Sequence, residues 1–298
     1  MTPPKILLFG KNGQLGWEAE RQLFCMGDLF AYDYPQIDFT DPKKVVALLD
    51  DIQPDFIYNA VAFTAVDQAE SEISKATLIN STTPGEIAAW CKRNQRSLMH
   101  FSTDYVFDGY LGRDYREDDL PHPLNVYGQS KLAGEQAILQ SECTALIFRT
   151  SWVYSMRGES FVIKFLSWAR DKDELRVVDD QIGNPTWARM LAQLSSCILP
   201  INKEDFSAFF DQNGGLYHLA GGGAASRLQW SQEILDNLTH EANIKTKNLA
   251  GAKTYEFPAP ACRPLHSALN CEKYESTFGR KIPHWKLGLR LALDELAG

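Results

Sequence analysis

Apolar residues fall in short unbroken runs through the first half of the chain: "KILLF" (5–9), "LFAYD" (29–33), "DFIYNAV" (55–61), "SLMHFST" (97–103) and "ALIFRT" (145–150). None of these runs alternates polar and apolar positions, as a strand with one wet face would. Unbroken runs are the mark of parallel strands covered on both faces. Helical spacing fills the intervals at 14–26, 42–51, 81–94 and 126–140. Strand–helix alternation of this kind predicts an α/β fold, a doubly wound parallel sheet with right-handed crossovers.

The second half is less regular. "LRVVDDQIGNPTW" (175–187) and "GLYHLAGGG" (215–223) each predict a further strand followed by a loop, and helices are expected at 160–170, 187–198, 227–240 and 284–296. The segment 241–283, with Pro258, Pro260, Pro264 and Pro283, reads as loop-rich. Residues 1–150 are expected to form a Rossmann-like dinucleotide-binding domain, whose sheet the strands near 175–180 and 215–220 rejoin. Residues 151–298 are expected to be mainly a smaller, mixed substrate lobe that closes over the ligand end of the sheet.

Composition narrows the class. A length of 298 residues with 44% hydrophobic residues supports a large core, and a net charge of −8 carries no basic footprint for nucleic acid. The cysteines at 25, 91, 143, 197, 262 and 271 form no C-x-x-C pair and no zinc spacing, and read as reduced thiols. The apolar run near the N-terminus is too short for a signal peptide, and nothing approaches the roughly 20 apolar residues of a membrane span. A soluble, cytoplasmic protein with neither nucleic acid nor membrane as partner is expected.

Candidate chemistry begins at "LLFGKNGQLGWEAERQL", which sets Gly10, Gly13 and Gly16 three apart between the first strand and the first helix. Glycines there let the backbone approach a pyrophosphate whose charge rests on the helix N-terminus. The spacing G-x-x-G-x-x-G departs by one position from the dinucleotide fingerprint, so an ordinary tight turn is the competing reading. At the other strand ends, "NAVAFTAVD", "FSTDYVFDG" and "RTSWVY" deliver small and hydroxylated residues to the same edge of the sheet. "NVYGQSKLAGE" (125–135) then places Tyr127 and Lys131 one helical turn apart. Its bland reading is a solvated helix face on which Lys131 pairs with Glu135. Its chemical reading is a phenol whose pKa, near 10 when unperturbed, is lowered by the neighbouring ammonium. Such a phenol can protonate a ketone oxygen that Thr103 also hydrogen-bonds.

The motifs "GKNGQLG", "NAVAFTAVDQAES", "STDYVFDG", "NVYGQSKLAGE", "FRTSWVY" and "DQIGNPT" follow one another as in the extended short-chain dehydrogenase/reductases, which the chain resembles from residue 5 to about 190 and again toward its end. Within that family the resemblance is to enzymes that reduce the C4 ketone of dTDP-4-dehydro-6-deoxy-L-mannose with NADPH or NADH. It implies Thr103, Tyr127 and Lys131 as catalytic residues. It implies Gly13, Gln14 and Leu15 on the cofactor diphosphate, Asp38 and Phe39 beside adenine, and Ala62, Phe63 and Thr64 near ribose and diphosphate. Asp104 and Trp152, with Val66 and Asp67 close by, match substrate-contacting positions. Trp152 reads otherwise as a core residue, and Asp67 as a helix cap. Phe63 and Phe101 stand where histidine and tyrosine are common in the family.

Asp33, ending the second strand, is placed to meet a ribose 2′-hydroxyl or to repel a 2′-phosphate. With Lys11, Lys43 and Lys44 nearby, use of both cofactors is expected. Some members of the family pair through Mg²⁺ held by carboxylates, so the resemblance admits a homodimer and a metal. Arg189 falls at one of those carboxylate positions, with Glu18 nearby, and a guanidinium is wrong for a hard cation that wants oxygen ligands. No metal is therefore expected. Competing functions are another sugar-nucleotide 4-ketoreductase, a dehydratase or epimerase, and a non-catalytic NADP-binding regulatory subunit of the same fold. Tyr105 where dehydratases carry Glu argues against dehydration.

Overall fold

The computed structural model describes residues 3–200, 202–238 and 243–295. Its centre is a parallel sheet of β1 (Lys5–Phe9), β2 (Asp28–Tyr32), β3 (Phe56–Asn59), β4 (Ser97–Thr103), β5 (Ala145–Thr150) and β6 (Gly215–His218). Their spatial order is β6-β5-β4-β3-β1-β2. Every residue of β3, β4 and β5 is buried, which is why those runs do not alternate polar and apolar positions. The chain moves from β1 outward to β2, then crosses back to β3. This reversal opens a crevice at the carboxyl ends of β1 and β3, where open α/β sheets bind ligands.

The crossover helices are α1 (Gln14–Leu23), α2 (Pro42–Ile52), α3 (Thr83–Asn94) and α4 (Val126–Gln140). Local chemistry sets their ends: Asp41 accepts the Lys44 N–H ahead of Pro42 at the start of α2, and Asn125 accepts the Gly128 N–H at the start of α4. A π-helical turn over Leu78–Thr82, invisible in the hydrophobic pattern, leads into α3. Leu7, Phe9, Val45, Leu49, Ile87 and Trp90 form the core on one face of the sheet. Ile6, Leu8, Phe56, Tyr58 and Phe148 join the core on the other. Each large apolar side chain so buried contributes about 1.5–3 kcal/mol.

The strand expected near 175–180 does not rejoin the central sheet. Glu174–Val178 pairs in parallel with Asn248–Ala252 as a separate two-stranded ribbon. Its alternation of exposed Glu174 and Arg176 with buried Leu175 and Val177 suits one wet face. The strand near 215–220 does join, as β6 beside β5. Helices at Phe161–Asp171, Ala188–Ser196, Arg227–Asp236 and Trp285–Asp294 follow the pattern, and their expected extensions to 240 and 296 reach residues outside those described. The helix Lys203–Asn213 was not expected; Phe206 and Phe210 dock it on Phe56 with ring centroids 5.5 Å away. The loop-rich segment contributes the ribbon strand and a short helix, Glu272–Phe278. Among the described residues no helix is long and apolar enough to cross a membrane.

Candidate active site

The glycine loop is built by close approach. Gly10 has φ +88°, and a Cβ on Gly16 would lie 1.9 Å from the Gly10 carbonyl oxygen. Only glycine lets α1 sit so tightly on the end of β1. Gly13 caps α1 with no side chain to satisfy the first-turn amides, which leaves them for an anion. Gly13, Gln14 and Leu15 form one end of a cavity of about 1440 Å³. Gln14 Oε1, Ser102 Oγ and Thr150 Oγ1 are buried in its wall without a partner among the described residues. Orphaned polar atoms beside capless amides fit a dinucleotide.

Thr103 and Asp104 enter the cavity because β4 runs on past its neighbour β3. The Thr103 hydroxyl accepts the Tyr105 N–H at 3.2 Å, turning the chain into a short 3₁₀ helix. Helix α4 docks on that turn at Gly128, where a Cβ would lie 2.2 Å from the Tyr105 carbonyl oxygen. This contact brings Tyr127 against Tyr105, ring centroids 5.7 Å apart and edge to face, with Tyr127 and Lys131 both facing the cavity.

The bland reading of the pair fails. Lys131 and Glu135 are each 1% exposed, and Glu135 binds Arg149 in a two-point pair at 3.0 and 2.7 Å. Lys131 instead donates to the Phe101 carbonyl at 2.6 Å. Burial pulls its pKa down to about 8, opposed by the Glu135 charge. The expectation that Lys131 lowers the Tyr127 pKa is not met either. Burial pushes the phenol well above its ordinary value, and the hydrogen bond with Thr103 is what opposes that rise. The phenol therefore holds its proton at neutral pH, as a general acid must.

Beyond Tyr127 the cavity carries charge that the sequence did not reveal. The Arg227 guanidinium lies 3.5 Å from the Trp152 ring, and burial lowers its pKa to about 10 against the favourable charges of Tyr105 and Asp104. Arg263 joins it at Tyr105 and pairs with Asp67 at 2.7 Å. Neither arginine sits in a recognisable motif; both come from loop or helix-start positions far along the chain. Asp104 accepts hydrogen bonds from Ser267 at 2.6 Å, Ser151 at 3.0 Å and Thr103 at 3.1 Å, while burial raises its pKa to about 6. Trp152 stacks on Trp230 at 5.7 Å and holds φ +44°. For a bulky residue this backbone costs on the order of 1–3 kcal/mol, a kind of strain that concentrates at ligand sites.

Ala62, Thr64, Val66 and Phe101 also line the cavity. Other expected residues stand behind its wall. Asp38 accepts both the N–H and the hydroxyl of Thr40, which holds its carboxyl below the usual range. Phe39 packs edge-on against Phe9 at 5.2 Å. Phe63 is buried, its N–H and carbonyl bound by the Asn80 side chain. Asp67 is neither a cap nor a cavity residue: it lies inside the turn Val66–Ala69 and holds Arg263 and the Ala261 N–H. Asp33 accepts the Asn12 N–H at 2.8 Å and the Tyr34 N–H at 2.7 Å, so it braces the glycine loop from the end of β2.

Arg189 lies between two carboxylates. It binds Glu18 at 3.1 Å and also pairs with Glu295, tying the helix Ala188–Ser196 to α1 and to the end of the last helix. With Glu18 only 3% exposed, a guanidinium between the acids does not fit a divalent cation, and no other cluster among the described residues could hold one. Arg189→Ala is expected to destabilise the fold by about 2 kcal/mol in urea unfolding. That is less than the 3–5 kcal/mol of a wholly buried pair, because Arg189 is 33% exposed. A chelator should leave the melting temperature of the unaltered chain unchanged; a drop reversed by Mg²⁺ would contradict this reading.

A crevice at the strand-order reversal, walled by a Tyr–Lys pair and a strand-end hydroxyl, belongs to the extended short-chain dehydrogenase/reductase class. A family model, the RmlD substrate binding domain, matches residues 4–297. The chain is 40% identical over 299 residues to dTDP-4-dehydrorhamnose reductase from Escherichia coli K12, covering 98% of this chain and 97% of that one. It is 35% identical to the Burkholderia thailandensis reductase, over 98% and 99% of the two chains. The Bacillus anthracis reductase, solved in complex with NADP, superposes with a TM-score of 0.88 at 31% identity, covering 99% of this chain and all of that one. The chain belongs to the dTDP-4-dehydrorhamnose reductase family. A UDP-glucose 4-epimerase from Thermus thermophilus, 16% identical with TM-score 0.78, shares the fold.

Proposed function

We propose that this protein reduces the C4 ketone of dTDP-4-dehydro-6-deoxy-L-mannose to give dTDP-L-rhamnose, in the cytoplasm, with NADPH or NADH as cofactor. The observation that carries the reading is the single cavity shared by the glycine loop, Thr103, Tyr127, Lys131 and Trp152. The nicotinamide cofactor supplies hydride. Gly13, Gln14 and Leu15 hold its diphosphate on the amides of α1. Thr103 orients the ketone oxygen, and Tyr127, kept protonated by burial, delivers a proton to it as charge develops. Lys131, one turn along, would hold the ribose hydroxyls of the cofactor. The Trp152 indole covers the sugar, and Arg227 and Arg263 answer the two negative charges of the nucleotide diphosphate. An apolar cavity with two guanidinium groups at one end suits an anionic sugar nucleotide better than an uncharged ketone.

The test is oxidation of each cofactor, followed by absorbance, on adding the dTDP-4-dehydro sugar. Turnover with rhamnose configuration in the product is expected; absence of turnover would favour a non-catalytic cofactor-binding subunit. Asp33 adds a prediction about cofactor choice. Its carboxylate repels a 2′-phosphate, whereas Lys11, Lys43 and Lys44 attract one, so kcat/KM for the two cofactors should differ by less than about 10²-fold, or roughly 2.7 kcal/mol. Asp33→Asn keeps an acceptor for the loop amides but removes the charge, and should shift the ratio toward NADPH. An unmoved ratio would leave Asp33 as a loop brace alone.

A further inference from the structure

Behind Lys131 runs a line of buried polar groups that the reaction as described above does not use. Asn59, at the end of β3, accepts the Val61 N–H at 3.2 Å through Oδ1. That bond orients the amide, so its Nδ2 faces His100 Nδ1 at 3.1 Å. His100 lies on β4, directly beside Asn59 in the sheet register, and its Nε2 is 3.4 Å from Lys131 Nζ. Asn59 is 2% exposed, His100 0% and Lys131 1%, so the line is closed to bulk water except where Lys131 meets the cavity.

Donor and acceptor roles follow from the left end. The Val61 amide must donate, so Asn59 Oδ1 accepts and Asn59 Nδ2 donates. His100 Nδ1 is then the acceptor. Burial holds the imidazole neutral, and Lys131 reinforces this. A neutral imidazole has one N–H, and here it is on Nε2, pointing at Lys131. An ammonium has no lone pair to receive it; a neutral amine has one. The Phe101 carbonyl takes one N–H of that amine, and another remains for the cavity.

We propose that His100 is a positioning residue for the reaction: its Nε2–H donates to Lys131 and favours the neutral amine, so that Lys131 gives up its proton readily. The proposal rests on the reductase reading only for its consequence. After the Tyr127 proton passes to the ketone oxygen, Lys131 transfers one N–H proton to the phenolate, becomes the amine that His100 stabilises, and regains a proton from water. The other charges facing this line do not favour the amine. Glu135 favours the ammonium but is held by Arg149 from β5, Asp104 and Tyr127 lie at the cavity end, and Tyr58 points to the opposite face of the sheet, onto Ser195. The depressed Lys131 pKa of about 8 has burial as its main cause.

The experiment has two arms on the full chain with cofactor bound. Nitrogen-15 NMR of the histidine side chains should find His100 in the Nε2–H form between about pH 6 and 9, with its shift following the Lys131 titration. In the second arm, the alkaline limb of kcat is compared between the unaltered chain and His100→Gln, whose amide oxygen would accept from the ammonium. Replacing a donor by an acceptor stabilises the ammonium, so the limb should move to higher pH by about a unit, a tenfold change in proton affinity. An Nδ1–H form, or a limb that stays in place, overturns the proposal. If His100→Gln does not fold, the tautomer alone decides. The first arm needs no turnover, so failure of the reductase reading and failure of this one remain distinct.

Discussion

Tyr127→Phe is expected to lower kcat by roughly 10²–10⁴-fold, the usual worth of a positioned general acid, while cofactor affinity changes little. Phenylalanine keeps the ring, so the edge-to-face contact with Tyr105 and the docking of α4 at Gly128 persist. What disappears is the phenol proton, which faces the cavity beside Thr103 and which burial holds more tightly than in a free tyrosine. Pre-steady-state turnover and cofactor titration on the same variant separate the two effects. A variant with near-normal kcat would show that the proton comes from elsewhere, with Asp104, raised by burial to about 6, the next donor to test.

The second large effect is on stability. Arg149→Leu is expected to destabilise the protein by about 3–5 kcal/mol, because it leaves the Glu135 carboxylate buried without its counter-charge. The two side chains are 3% and 2% exposed and meet through two hydrogen bonds between β5 and α4. Removing both charges, as in Glu135→Leu with Arg149→Leu, should recover most of the loss, since well-packed apolar replacements of a buried pair are often neutral. Urea unfolding of Arg149→Leu, Glu135→Leu and the double variant measures this as a double-mutant cycle. A cost below about 1 kcal/mol for Arg149→Leu would mean that water or a rearranged group reaches Glu135. The pair lies one turn beyond Lys131, so partial activity loss in the single variant should come from a misplaced α4.

The strands, their parallel arrangement and the helices between them were legible because the local pattern and the tertiary environment agree. β3 to β5 are buried on both faces, and such strands have no reason to alternate. The start of α4 was equally legible, with Asn125 capping "VYGQSK" at the residue the pattern indicated. The glycine loop's tight turn was legible in its spacing, since close backbone approach demands glycine whatever the rest of the fold does.

Partnerships across the sheet were not legible. The i,i+4 spacing made Glu135 the natural partner of Lys131, yet Arg149 from β5 takes it with better geometry. Lys131 then turns to the Phe101 carbonyl and His100. Nothing in "SRLQW" or "PACRP" shows that Arg227 and Arg263 converge on Tyr105, because their encounter depends on how the second lobe folds over the strand ends. The strand at 174–178 was assigned to the central sheet because a short apolar run says that a strand exists but not which partner it has. Sequence by itself determined most of the elements, the glycine loop and the Tyr–Lys spacing, all of which are written in local pattern. The tertiary structure alone decided which charges are neutralised, which carboxylate is raised and which groups tune Lys131, because burial and opposite-charge distance are properties of residues far apart in the chain.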